Sequence, residues 1–354
     1  MKKILTVYTG GTICCASDGK LRDLHPKLAK RALLTSFSQS DSVYAKNTAE
    51  LFYDSGLSDD EQTLSENMTL KKLDVIIRHI KSFDLSEFLG VIVLHGTDTL
   101  AYTAALFSFL FCNTTVPIML VSGNRPPMDE KSNALANFKA AAELIMSGIA
   151  PNVYVPYKNS NSVVTVHLAS GLMQCADFSD DFYSAAEKTA FNINDTYLYE
   201  KCVKLSLQRT IPKYFDPSRY ACPDEDVLLI DPYTGLDYSR IMLKGVKTVV
   251  HGTYHSGTVC AERAAEGEEY SSYSVLYLAK ECKKNNIPLF ITPCKLDSAQ
   301  YASSWDIYKN TEALMLNMTR EAAYGKVIAA LSCGLEKDIL IEFMTTNINN
   351  EILS

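Results

Sequence analysis

Short apolar runs rich in β-branched residues alternate along this chain with longer stretches whose apolar positions return every three or four residues. KKILTVYT from Lys2, LGVIVLH from Leu89, VPIMLVSG from Val116 and APNVYVPY from Ala150 predict buried strands, each closed by turn or polar residues. Between them, SENMTLKKLDVIIRHIKSF opens with a Ser/Asn cap signal and sets Leu73, Ile76, Ile77 and Ile80 on one helical face. DTLAYTAALFSFLF and SNALANFKAAAELIMSG predict two apolar helices. Strand, helix and strand at this spacing imply right-handed crossovers, hence an α/β fold with a larger N-terminal, mostly parallel sheet flanked by helices.

The alternation weakens over residues 196–225, where proline and charge predict a connection between domains. Beyond it, DVLLIDPY, GVKTVVHGTYHSG, SVLYLAKECKKNN and IPLFITPC repeat the theme on a smaller scale, and LNMTREAAYGKVIAALSCG and EKDILIEFMTTNI read as two closing helices. The expected organisation is an N-terminal domain over 1–195, a linker over 196–225 and a smaller C-terminal α/β domain over 226–354. The length of 354 residues suits two domains, and 47% hydrophobic with 21% charged residues suits a folded chain. A net charge of −7 with no basic cluster argues against a nucleic-acid partner.

Ten cysteines lie scattered with no C-x-x-C pair to seed a metal site, and read as small buried hydrophobes in a reducing compartment. MKKILTVYTGG has a basic start, but its short apolar run enters a Gly-Gly turn without a small-residue cleavage pattern, so it reads as a first strand and not a signal peptide. No apolar stretch reaches the roughly 18 residues a membrane helix needs. A cytoplasmic location without membrane association follows as the expectation.

Ligands of open parallel sheets bind beyond the carboxyl ends of strands, so the loops there are the places to seek chemistry. Thr9-Gly10-Gly11-Thr12 presents a hydroxyl after two glycines that permit close backbone approach; a plain β-turn is the competing reading. His95-Gly96-Thr97-Asp98-Thr99 sets a hydroxyl beside a carboxylate at a helix start, where an anion is favoured; simple helix capping competes. Ser65-Glu66-Asn67-Met68 likewise reads most plainly as a cap. Together, two threonines and two acids suit attack by a hydroxyl on an amide or ester, and the acids suit an α-ammonium group. The six histidines form no serine-type triad motif, and His95 reads as a structural residue.

TGGTI at Thr9 to Ile13 together with HGTDTLAYTA from His95 resembles the bacterial L-asparaginase family, and SENMT, VSGNRPP and LNMTREAAYGKVIAAL extend the likeness over nearly the whole chain. It looks like the cytoplasmic, type I form. The resemblance implies hydrolysis of L-asparagine to L-aspartate and ammonia without metal or cofactor, by a homodimer or homotetramer. Carried over by position, Thr12 is the nucleophile and Thr97 the second catalytic threonine. Asp98 binds the substrate ammonium and orients Thr97, while Ser65 and Glu66 hold the α-carboxylate and α-ammonium ends. Backbone N–H groups near Gly11 and Thr97 receive the oxyanion. The loop at Gly252 to Ser256 falls where the family borrows groups from a second subunit but departs from its usual Gly/Asn-rich version; His255 and Ser256 are the candidate substitutes, and an interface or core role competes.

Two departures stand out. Gln174 falls where the family has a supporting lysine, with Gly171 where an arginine is common, and Leu21 falls where a loop tyrosine is expected. Losing general-base help of 10²- to 10⁴-fold implies a barrier higher by about 3 to 6 kcal/mol. Lys158 and Arg22 are the basic groups considered as substitutes. A catalytically impaired amino-acid-binding or regulatory homologue is the alternative. The amidotransferase subunit that shares this domain and serves tRNA-bound glutamate is set aside, because it carries an extra N-terminal domain and the first strand here begins at Lys2 or Lys3.

Overall fold

The structure is a computed structural model and describes residues 2–17, 22–160, 162–222, 226–262, 270–295 and 301–353. The chain divides into two compact units, residues 1–211 with 348–350 and residues 212–347 with 351–354.

In the first unit, β1 (Lys3–Tyr8) leads to a hairpin of β2 (Cys15–Ser17) and β3 (Arg22–Leu24), then α1 (Pro26–Ser38), α2 (Thr48–Leu51) and β4 (Phe52–Asp54). There follow α3 (Leu70–Lys81), β5 (Phe88–Leu94), α4 (Leu100–Leu110), β6 (Ile118–Val121), α5 (Ala134–Met146), β7 (Val153–Lys158), β8 (Val164–Leu168), β9 (Ala190–Asn192) and α6 (Leu198–Leu207). Seven strands make one sheet in the order β4-β1-β5-β6-β7-β8-β9, parallel from β4 to β7 and antiparallel at β8 and β9. The mostly parallel α/β architecture is the expected one. Its strands are apolar on both faces because helices cover both.

The apolar face of α3 is the one read from the sequence: Leu73, Ile76, Ile77 and Ile80 are buried, each contributing about 1.5–3 kcal/mol. Its cap differs from the expectation. Thr69, in extended conformation, accepts the N–H of Lys72, whereas Ser65–Asn67 form a separate 3-10 turn. Residues 196–225 are likewise no plain linker. They include α6, whose Leu198, Cys202 and Leu205 enter the first unit's core at helical spacing. Charged neighbours hide that period from a composition reading. Near the other end of the chain, residues 348–350 also belong to the first unit, where the Asn349 amide donates to the Ser108 carbonyl (3.1 Å) and to Asn152 (2.9 Å).

The second unit holds β10 (Val227–Ile230), β11 (Thr248–His251), α7 (Val275–Lys284), β12 (Leu289–Ile291), α8 (Ala302–Asn310), β13 (Leu314–Met315), α9 (Arg320–Ser332) and α10 (Lys337–Thr345). Its four strands are parallel and pair in chain order. Wholly buried Lys326 on α9 meets Glu351 at 2.5 Å and donates to the Thr346 carbonyl at 2.5 Å. That pairing answers the cost of removing an ammonium from water.

Candidate active site

Thr12 stands at the start of a single 3-10 turn, Thr12–Cys14, directly beyond β1. The two glycines before it do not make a β-turn. Gly10 (φ 113°) pairs with Thr63 as a short parallel bridge, and Gly11 (φ 72°) lies against Gly96. A Cβ on Gly11 would come 2.1 Å from the Gly96 Cα, and one on Gly96 would come 2.4 Å from the Ser65 side chain. Side chains are excluded here because three loops meet backbone to backbone.

Ser65 joins the second and third loops. It is buried, its hydroxyl donates to Asp98 Oδ2 (2.8 Å), and the Asp98 N–H donates back to Ser65 Oγ (3.3 Å). Thr99 Oγ1 adds a bond to the Ser65 carbonyl (3.1 Å). The competing cap readings fall with these contacts. Thr99 occupies the N-cap of α4 without a side-chain cap bond, and Ser65 bonds across loops and not into α3. Thr12 and Thr97 are half-buried, while Glu66 and Asp98 are exposed. The structure therefore brings the loops of Thr12, Ser65, Glu66, Thr97 and Asp98 together in the first unit.

Of the N–H groups near Gly11, that of Gly11 itself donates to the Thr63 carbonyl (2.9 Å). Among the described residues, the N–H groups of Thr12 and Thr97 have no backbone carbonyl partner. Thr63, which the sequence does not single out, also donates its N–H to the Thr9 carbonyl (3.0 Å) and so brackets the turn before Thr12.

His95 is fully buried. Its Nδ1 faces the Gly96 carbonyl (2.8 Å), which can only accept, so Nδ1 carries the proton and Nε2 accepts from Thr103 Oγ1 (3.0 Å). Burial lowers its pKa to about 4, and the ring is a neutral structural element at pH 7. Burial pushes the Cys14 thiol up to about 12, which fits packing and not reactivity. Cys175, in the segment after β8, rises to about 12 through burial, with Asp180, Asp181 and Asp98 adding to it.

That segment contains the first departure. Gln174 is half-buried, and a Cβ on Gly171 would sit 2.5 Å from Thr189 Oγ1, leaving no room for an arginine. Leu21 lies outside the described residues, as does the Arg22 side chain, and Lys158 is exposed at the end of β7. In the second unit His255 is exposed, and Ser256 Oγ shares a hydrogen bond with Thr258 Oγ1 (2.8 Å). Among the described residues no cluster of metal-ligating side chains occurs, and no helix is long and apolar enough to cross a membrane.

The family model for asparaginase, N-terminal, matches residues 3–194, more than half of the chain. The chain belongs to the asparaginase family. This asparaginase-family chain is 26% identical to a glutamyl-tRNA(Gln) amidotransferase subunit of Methanococcus maripaludis over 99% of its own length and 81% of that protein. Its identity to the same subunit of Saccharolobus solfataricus is 24%, over 99% and 76%. L-asparaginase I of Vibrio cholerae shares the fold with a TM-score of 0.69 at 21% identity, covering 100% of this chain and 99% of that one. The thermostable L-asparaginase of Thermococcus kodakarensis gives 0.67 at 19% identity, over 99% of each. These relatives do not single out the bacterial type I branch, and the assignment is to the family.

Proposed function

We propose that this chain is an amidohydrolase that cleaves the side-chain amide of L-asparagine with Thr12 as nucleophile. The supporting observation is the three-loop junction, in which Gly11, the residue before Thr12, lies against Gly96, and Gly96 against a Ser65 bonded to Asp98 at 2.8 Å. In this reading the Thr12 oxygen bonds to the amide carbon, its proton moves to the departing nitrogen, and ammonia leaves. Water then cleaves the threonyl ester, releasing L-aspartate and returning a proton to Thr12. The Thr12 and Thr97 amides meet the charge that develops on the carbonyl oxygen. Thr97 acts as second threonine, Asp98 and Glu66 hold the α-ammonium, and Ser65 holds the α-carboxylate by turning its hydroxyl proton from Asp98 to the substrate. The carboxylate of Glu66 adds repulsion toward an acidic side chain, favouring asparagine over aspartate by about 1 kcal/mol in a partly screened site. No step calls on a metal or cofactor. In this reading the chain is a homodimer or homotetramer, and His255 and Ser256 serve at its interface or at a second subunit's site.

Ammonia release from L-asparagine by the purified chain, with Thr12→Ala as control, tests the reading. If neither protein releases ammonia while aspartate or asparagine raises the melting temperature, the impaired amino-acid-binding alternative replaces it.

A second reading rests on the curated relatives, which are named as an amidotransferase subunit and span 99% of this chain. In it the amide is glutamine and the chain works within a larger enzyme. Glutamine cleavage that outpaces asparagine cleavage would favour it.

A further inference from the structure

Lys72 is the third residue of α3, and its half-buried side chain donates from Nζ to Thr63 Oγ1 at 2.7 Å. Thr63 is the residue that brackets the nucleophile turn. Its N–H reaches the Thr9 carbonyl, its carbonyl receives the Gly11 N–H, and a Cβ on Gly10 would lie 2.0 Å from its carbonyl oxygen. One ammonium group therefore holds the side chain of the residue against which Gly10 and Gly11 are laid.

Two observations mark this lysine as serving something other than its own helix. The third position after a threonine cap favours Glu or Gln, because the first turn of a helix presents unpaired N–H groups and the positive end of the dipole. A cation there opposes the helix. Moreover, among the described residues Lys72 makes no ion pair, whereas Arg78 on the same helix, Lys201 and Lys283 each face a carboxylate. Its positive charge is left for the turns beside it.

We infer that Lys72 is a positioning residue for amide cleavage, fixing Thr63 and through it the Gly10-Gly11-Thr12 turn. It brings a positive charge from α3 to these loops in a chain that has Gln174 where the family resemblance places a lysine. The inference rests on the amidohydrolase reading, and its test separates the two.

Hydrogen exchange of the full chain reads the turn without any turnover. Lys72→Met is expected to speed exchange of the Gly11 amide about tenfold or more, while amides of residues 74–81 stay within about twofold. Turnover of asparagine is expected to fall about 10- to 100-fold in kcat, with KM within about twofold, as for a group that acts on positioning. Lys72→Arg, which keeps a donor and the charge, restores both readouts. Thr63→Val removes the acceptor without touching the helix and reproduces the faster Gly11 exchange. Unchanged Gly11 exchange in Lys72→Met and Thr63→Val overturns the inference, as does a failure of arginine to rescue. If exchange responds as expected while the wild-type chain releases no ammonia from asparagine or glutamine, Lys72 holds the turn and the amidohydrolase reading falls.

Discussion

Two strand ends of this chain read His-Gly-Thr, at 95–97 after β5 and at 251–253 on and after β11, and their histidines are used alike. His251, like His95, is buried with Nδ1 on the carbonyl of the glycine that follows it (2.5 Å), and its Nε2 accepts from Tyr238 (2.8 Å) where His95 accepts from Thr103. Burial lowers both to about 4. The threonines then diverge. Thr253 spends its hydroxyl on the Pro293 carbonyl (2.8 Å), whereas Thr97 precedes an Asp98 bonded to Ser65 and adjoins the Gly11 contact. The His-Gly step is thus a way of ending a strand. What makes one end a candidate site is the arrival of two further loops.

The largest test of that contrast is Thr12→Ala, expected to lower ammonia release at least ~10³-fold, as loss of a nucleophile does, with the melting temperature nearly unchanged. Retained activity would detach the chemistry from the first strand end altogether. Next, Gly96→Ala forces a Cβ to 2.4 Å from Ser65 and 2.9 Å from the Gly11 Cα, and is expected to cost ~3 kcal/mol or more in urea unfolding. At the matching glycine, Gly252→Ala meets the end of the Asp231 side chain at 2.6 Å, which can turn away, so ~1 kcal/mol is expected. Equal costs would remove the distinction between a three-loop junction and an ordinary strand end.

Ser65→Ala deletes a hydrogen bond to a carboxylate, about 1.5–3 kcal/mol, and is expected to raise KM for asparagine roughly tenfold or more. An unchanged KM would show that Ser65 only braces Asp98. The last test concerns what the two ends share. A histidine near 4 when folded and near 6.5 when unfolded lets the unfolded chain take protons first, so stability is whole above pH 6.5 and falls as pH drops toward 4. His95→Gln and His251→Gln should each remove a slope of about 1.4 kcal/mol per pH unit within that window, measured by urea unfolding between pH 4.5 and 7. Unequal slopes would mean that the two rings are not equivalent after all.

Much of the fold is legible in the order of residues. The strands at Lys3, Phe88, Ile118 and Val153 and the helices α3, α4 and α5 follow from apolar period alone, because a sheet covered on both faces demands continuous apolar runs. Short strands such as β4, β8 and β9 escape that reading, since three to five residues leave little period to detect. Helix α6 is hidden among charges. At the site, loop composition and family likeness point to Thr12, Ser65, Glu66, Thr97 and Asp98. They do not point to Thr63 or Lys72, although a lysine at the third helical position after a threonine cap breaks a local rule and is a signal worth reading.

Residue order alone determined the alternation of strands and helices, and with it that threonines and acids would lie in loops following strands, because both are consequences of local period and turn chemistry. Only the tertiary structure decided that Gly11 touches Gly96 and gives its N–H to Thr63, that Ser65 bonds to Asp98, and that Lys72 reaches the turn. Most of those contacts join residues far apart in the chain, and their geometry is set by packing in three dimensions, which no short stretch of sequence encodes.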